Sequence, residues 1–226
     1  MRKFFVAMVA SFATIVATGS VTNAAFIANV STGSLAGPAD PNYTVGSGAS
    51  FIGPAQVLTS LPSTPPFAYA PNTATSRWVW ETTTGGSSTP GFPVTRTFRT
   101  TFNLTGFSGV TISGNWGTDN IGVGIFLNGV AVTGTGTTIN PVGGNGFSTL
   151  TAFNITGNFA AGVNNLDFVV QDQSVTGGFR VDGSVNGTPQ GPLPPVATPL
   201  PATALMAVVG FPLLGLAGAA RRRLFA

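Results

Sequence analysis

The 226-residue chain is 43% hydrophobic and 7% charged and holds no cysteine and no histidine. That excludes a disulfide framework, a thiol nucleophile and a Cys-based metal site, and removes the usual general base and the commonest transition-metal ligand. The formal charge of +3 is set at the ends, where Arg2, Lys3, Arg221, Arg222 and Arg223 are five of the nine basic residues; between them four arginines (77, 96, 99, 180) stand against Asp40, Glu81, Asp119, Asp167, Asp172 and Asp182, four charges against six for a net −2, so no nucleic-acid partner is expected.

In chain order, Met1-Arg2-Lys3 is basic, Phe4 to Ala17 is apolar, and small residues lead to Thr22-Asn23-Ala24-Ala25. That is the layout of a secretory signal peptide over residues 1–25, cleaved after Ala24 or Ala25, with the Sec export machinery as its partner; an uncleaved anchor is the alternative. Residues 26–188 leave roughly 160 residues, one domain with room for a full core.

Within that domain, 42–45 and 55–58 read as short strands, and 61–66, with three prolines, as a surface loop, since proline donates no ladder hydrogen bond. Residues 78–81 suggest a strand with Trp78 and Trp80 on one face. A loop over 82–91 follows. Along 94–103, Phe98 and Phe102 point one way and Arg99 and Thr101 the other. Residues 110–116 form a further strand. Ile121, Val123, Ile125 and Leu127 then occupy every second position, and Asn128-Gly129 turns the chain into Val130-Ala131-Val132, the strongest short hairpin signal because both residues tolerate positive φ. Residues 149–155, 166–170 and 179–185 repeat the pattern, and no body segment shows a period of 3.6. The fold class expected is all-β, a single β-sandwich.

The pieces 97–104 (TFRTTFNL), 112–132 (ISGNWGTDNIGVGIFLNGVAV) and 153–172 (FNITGNFAAGVNNLDFVVQD) resemble, in that order, a galactose-binding-like jelly roll of the kind found in sugar-binding domains of glycoside hydrolases. The resemblance spans roughly Arg96 to Val185. It implies that Leu127-Asn128-Gly129 makes a hairpin and Gly162-Val163-Asn164 a tight turn before a core strand.

After a Pro-rich linker over 189–198 comes Pro199-Leu200-Pro201-Ala202, then 17 residues, 204–220, without a charged or strongly polar side chain, then Arg221, Arg222 and Arg223. As a helix the apolar run spans about 26 Å, the lower limit for crossing a bilayer. Only a helix satisfies its own backbone there, and the arginines hold its far end in the cytoplasm. A buried core helix is the alternative. Residues 199–226 resemble the PEP-CTERM sorting signals of exported bacterial proteins, the substrates of exosortases. The motif has Leu rather than Glu between its prolines and Thr198 where that variant usually has Val. The resemblance implies an exosortase-type membrane protease as partner, a transient inner-membrane anchor through the C-terminal helix, and delivery to the cell surface, outer membrane or extracellular matrix of a Gram-negative bacterium.

Candidate chemistry is sparse. Asp119-Asn120, just before a strand, offers oxygen ligands to Ca²⁺, the one cofactor considered, or a sugar contact; an Asx turn is the alternative. Asp167 and Asp172, five apart, face opposite sides of a regular strand and are not expected to pair. Asp40 and Asp182 could approach a common ion. Trp78, Trp80 and Trp116, with Tyr43 and Tyr69, are candidate sugar-stacking platforms, and core packing is the alternative for each. Hydrolysis needs paired carboxylates or an activated nucleophile, and no enzyme is expected. Two functions remain: a module binding extracellular polysaccharide, and a structural surface or biofilm-matrix protein with no specific glycan ligand.

Overall fold

Alternation shapes the strand Val94–Asn103, where Val94, Arg96, Phe98, Thr100 and Phe102 turn inward while Thr95, Thr101 and Asn103 are exposed. The structure, a computed structural model, describes residues 24–33, 37–140 and 146–191. The greater part of the expected signal peptide and linker, and all of the sorting tail, lie outside the described residues. Among the described residues there is no helix long and apolar enough to cross a membrane.

Eleven strands follow in order: β1 (Ala25–Asn29), β2 (Ala39–Ser47), β3 (Ser50–Val57), β4 (Val79–Trp80), β5 (Val94–Asn103), β6 (Phe107–Asp119), β7 (Ile121–Leu127), β8 (Val130–Ala131), β9 (Thr151–Ile155), β10 (Val163–Asp172) and β11 (Gly178–Pro189). They are hydrogen-bonded in the order β8-β7-β10-β5-β2-β3-β4-β11-β6-β9, and β1 lies alongside β11. This continuous path folds over itself. β3, between β2 and β4, carries it from the layer of β7, β10 and β5 to the layer of β11, β6 and β9.

Interleaved rings between the layers make the β-sandwich. Phe179 of β11 stacks on Phe98 of β5 with centroids 4.6 Å apart and lies 5.1 Å from Phe168 of β10. Trp116 of β6 meets Phe168 at 5.4 Å. Each of these fully buried rings contributes about 1.5–3 kcal/mol from burial alone, and their tilted and stacked contacts add to that.

Two expectations change at the strand level. The strand expected over 78–81 is shorter, Val79–Trp80, and Val79 is as buried as the tryptophans on either side of it. In β7 the alternation breaks at Val123. Gly124 lies opposite Val169 but Gly122 lies opposite Val170, so Val123 is bulged out and 44% exposed while Ile125 and Leu127 stay in the core. The reason is Trp116: a Cβ at Gly122 would meet its Cη2 at 2.5 Å, so only glycine can turn inward there. The Asn128-Gly129 hairpin forms as expected, with φ of 54° and 79° at the two turn residues.

Candidate functional site

Trp78, Trp80 and Trp116 are each 0% exposed, which corrects their reading as sugar platforms. Trp78 Nε1 donates to the Ala70 carbonyl at 2.8 Å and Trp116 Nε1 to that of Gly136 at 2.7 Å. Trp80 packs on Phe98 at 5.5 Å. Tyr43 and Tyr69 are also buried, Tyr43 donating to the Val30 carbonyl at 2.7 Å. Large flat rings with one polar atom suit a core that can offer that atom a partner; Trp78, Trp116 and both tyrosines find one, while Trp80 Nε1 has none among the described residues.

The outer face of the β5 layer offers a different arrangement. Arg99 on β5 lies directly opposite Asp167 on β10. Its Nε donates to Asp167 Oδ1 and its Nη2 to Oδ2, both at 2.7 Å. The guanidinium carbon sits 4.5 Å above the Phe51 ring. Bonding to Asp167 raises the Arg99 pKa further, so the group is permanently charged and its partner neutralises it. The two bonds use Nε and Nη2, and the Arg99 side chain stays 33% exposed. Beside the pair runs a cleft of about 350 Å³ lined by Arg99, Thr101, Thr44, Asn42 and Pro54, among others. Fixed donors, hydroxyls and a proline edge around a neutral ion pair can grip a polyhydroxylated ligand. The sequence showed Arg99 and Thr101 facing outward but not what β2 and β3 place beside them, because that depends on a pairing between strands some 50 residues apart.

Asp119 and Asn120 lie where β6 gives way to β7, and the Asx-turn reading of Asp119 is corrected. Its Oδ2 accepts a 2.5 Å hydrogen bond from the Tyr69 hydroxyl, and its Oδ1 has no partner among the described residues. The Asx-type bond is made instead by Asp172, whose Oδ1 accepts from Ser174 N at 2.9 Å while Oδ2 is left without a partner. Asn120 brings the two acids to one end of the sandwich: its N–H donates to the Gln171 carbonyl at 3.2 Å and its Oδ1 accepts from Gln173 N at 2.6 Å, bracketing Asp172. Burial pushes both carboxyls up to about 6; each Asp119 shift is then tempered by Tyr69 and raised again by Asp172, and that of Asp172 is tempered by Ser174. Burial, followed by the charge of Asp119, drives the Tyr69 hydroxyl well above its ordinary value.

The other acids have separate tasks. Asp40 accepts from the N–H groups of Gly33 and Asn42 at 2.7 and 2.8 Å, and Asp182 from the hydroxyls of Ser31 and Thr75 at 3.2 and 3.1 Å. Glu81 takes two 2.9 Å bonds from Arg96. Among the described residues no three acidic side chains come together as a metal cluster.

No family model and no curated protein matches this chain. Among solved structures, one titled "Structure of CBM35 from Paenibacillus barcinonensis" is similar over 66% of this chain and 94% of its own, at 18% identity and a TM-score of 0.34. With so loose a superposition, the sandwich rests on its own strand pairing and ring contacts.

Proposed function

We propose that the chain is an exported, non-catalytic β-sandwich that binds extracellular polysaccharide through the cleft beside Arg99. The observation that carries this reading is the Arg99–Asp167 pair, fixed by two bonds over Phe51 on an outward sheet face, next to Thr44, Thr101 and Asn42. A neutralised pair favours uncharged sugar hydroxyls over acidic sugars. The full chain in detergent micelles, titrated against neutral and acidic matrix polysaccharides by calorimetry, tests it. Binding should weaken about tenfold in Thr101→Val, the loss of one or two hydrogen bonds to ligand, with the melting temperature unchanged because Thr101 is exposed. Absence of binding at millimolar sugar leaves the second reading, a structural surface or matrix protein without a specific glycan.

Delivery rests on the sequence. A leader over 1–25 opens the chain, and a proline motif, an apolar run and Arg221, Arg222 and Arg223 close it, in the order of a sorting signal. The Sec machinery exports the chain, the apolar run over 204–220 holds it in the inner membrane, and an exosortase-type protease releases it toward the surface of a Gram-negative cell. Mass spectrometry of both mature ends tests this. An intact N-terminus, or an unprocessed tail on the surface form, overturns it.

A further inference from the structure

We propose that Asp119 and Asp172 together hold a divalent cation, Ca²⁺, where β6 and β10 end. Both residues are buried, at 6% and 0% exposure, and each keeps one carboxylate oxygen with no hydrogen-bond donor, Asp119 Oδ1 and Asp172 Oδ2. Buried polar atoms are nearly always satisfied, and two orphaned carboxylate oxygens at one end of a small sandwich call for a ligand.

The surrounding groups say which kind. Around the pair stand Tyr69, Glu81 and Arg96. Arg96 spends its direct bonds on Glu81, two of them at 2.9 Å, and acts on Asp172 only through space, where the Glu81 charge opposes it. Tyr69 gives its one hydrogen to Asp119 Oδ2. Two negative charges therefore remain without a cationic partner of their own. A water molecule could donate to both oxygens but would leave both charges in place. A hard divalent ion bonds the oxygens and cancels the charge at once. Carboxylate oxygens suit Ca²⁺ rather than a softer metal, and with no histidine or cysteine in the chain there is nothing to select one. Two carboxylates, with carbonyls and solvent completing the shell, fit the weak end of Ca²⁺ affinities, about 10⁻⁴–10⁻³ M, the range of extracellular modules. Asp172 is the ligand the sequence conceals, since it stands 53 positions from Asp119 and only the strand order brings the two together.

Tb³⁺ provides the test, because Tyr69 touches Asp119 and the Trp78 ring lies 4.7 Å from Tyr69, close enough to sensitise a lanthanide in the site. The full chain in detergent micelles at pH 7.5 is excited at its aromatic band with Tb³⁺ alone and then titrated with Ca²⁺. The expected result is sensitised emission displaced by Ca²⁺ in the submillimolar to millimolar range. Asp119→Asn and Asp172→Asn should each weaken binding at least tenfold, and Asp182→Asn, at a separate acid, should leave it unchanged. Absence of emission from the native chain overturns the proposal without reference to any variant. Emission that survives in both Asp119→Asn and Asp172→Asn, in protein that still melts cooperatively, overturns it as well.

Discussion

Asn128 and Asn164, 36 residues apart, are joined by a 2.8 Å hydrogen bond from Asn128 Nδ2 to Asn164 Oδ1. Asn164 is fully buried, and its amide is otherwise satisfied by its own turn: Nδ2 donates to the carbonyls of Ala160 and Gly162, and Oδ1 also accepts from Ala160 N. Asn128 Oδ1 accepts from Asn165 N at 3.0 Å. One amide thus locks the β7–β8 hairpin to the turn that starts β10.

That lock makes the first prediction. Asn164→Ala removes the group that satisfies Ala160 and Gly162 and should cost about 2 kcal/mol, since several hydrogen bonds worth about 0.5–1.5 kcal/mol each are lost while Ala160, exposed, and Gly162, half-buried, can turn to water. Asn128→Gly keeps a residue that accepts φ of 54° and loses only the side-chain bonds, so it should cost about 1 kcal/mol. Urea denaturation of both singles and the double should give a coupling above about 0.5 kcal/mol. Strict additivity would mean that the Asn128–Asn164 bond contributes nothing.

The same elements show what the sequence carries and what it hides. Asn128-Gly129 is legible as a turn because φ > 0 is a local demand, and β5 is legible because alternation is local too. The bulge at Val123 is not, since it answers to Trp116 across the sandwich. The tryptophans misled for a related reason: a residue type fit for sugar stacking is equally fit for a core, and only the layer pairing decides. Arg99 and Asp167 were visible as charged positions, but their direct opposition follows from the β5–β10 register.

Close packing around the tryptophans gives a second prediction. A Cβ at Gly122 would come within 2.5 Å of Trp116, and one at Gly177 within 2.2 Å of Trp80. Both atoms belong to rigid buried rings, so neither clash can be relieved by a flexible chain end. Gly122→Ala and Gly177→Ala should each destabilise by about 1–3 kcal/mol, the usual cost of overpacking. Gly157→Ala, with nothing near its Cβ, is the control and should change the melting temperature little.

Stability should depend on pH in an unusual direction. In the folded chain burial raises the Asp119 and Asp172 carboxyls from 3.8 to about 6, so the native state holds their protons more tightly than the unfolded chain does. Their contribution is full below pH 3.8 and is lost as pH rises through about 6. For Asp119 the span corresponds to about 3 kcal/mol. Glu81 works the other way: burial opposes its ionisation, but Arg96, Ser87 and Ser88 hold its carboxyl below the usual range, so its contribution is present above pH 4.5 and is lost as pH falls. Thermal melts in chelator should therefore peak near pH 5 and decline toward pH 7.5. Asp119→Asn should flatten the neutral limb. A melting temperature that climbs steadily from pH 5 to pH 8 would contradict the buried-acid account.

The Glu81–Arg96 pair makes the last prediction. Its side chains are 0% and 5% exposed, and together they fasten the loop before β5: Arg96 Nη2 donates to Ser87 Oγ and Thr89 Oγ1 at 3.1 and 2.8 Å, while Ser88 donates from N and Oγ to Glu81 at 2.9 and 2.7 Å. Removing one partner strands a buried charge, so Arg96→Met should cost about 3–5 kcal/mol. Replacing both, as Arg96→Met with Glu81→Leu, removes the stranded charge and should recover most of that loss, because an apolar pair of similar volume is often no worse than a buried ion pair. The loop still loses its four side-chain anchors in the double variant. Its cleavage by proteinase K within residues 82–93 should therefore quicken even where global stability is restored. Equal protection in the native chain and the double variant would show that the loop is held by its backbone alone.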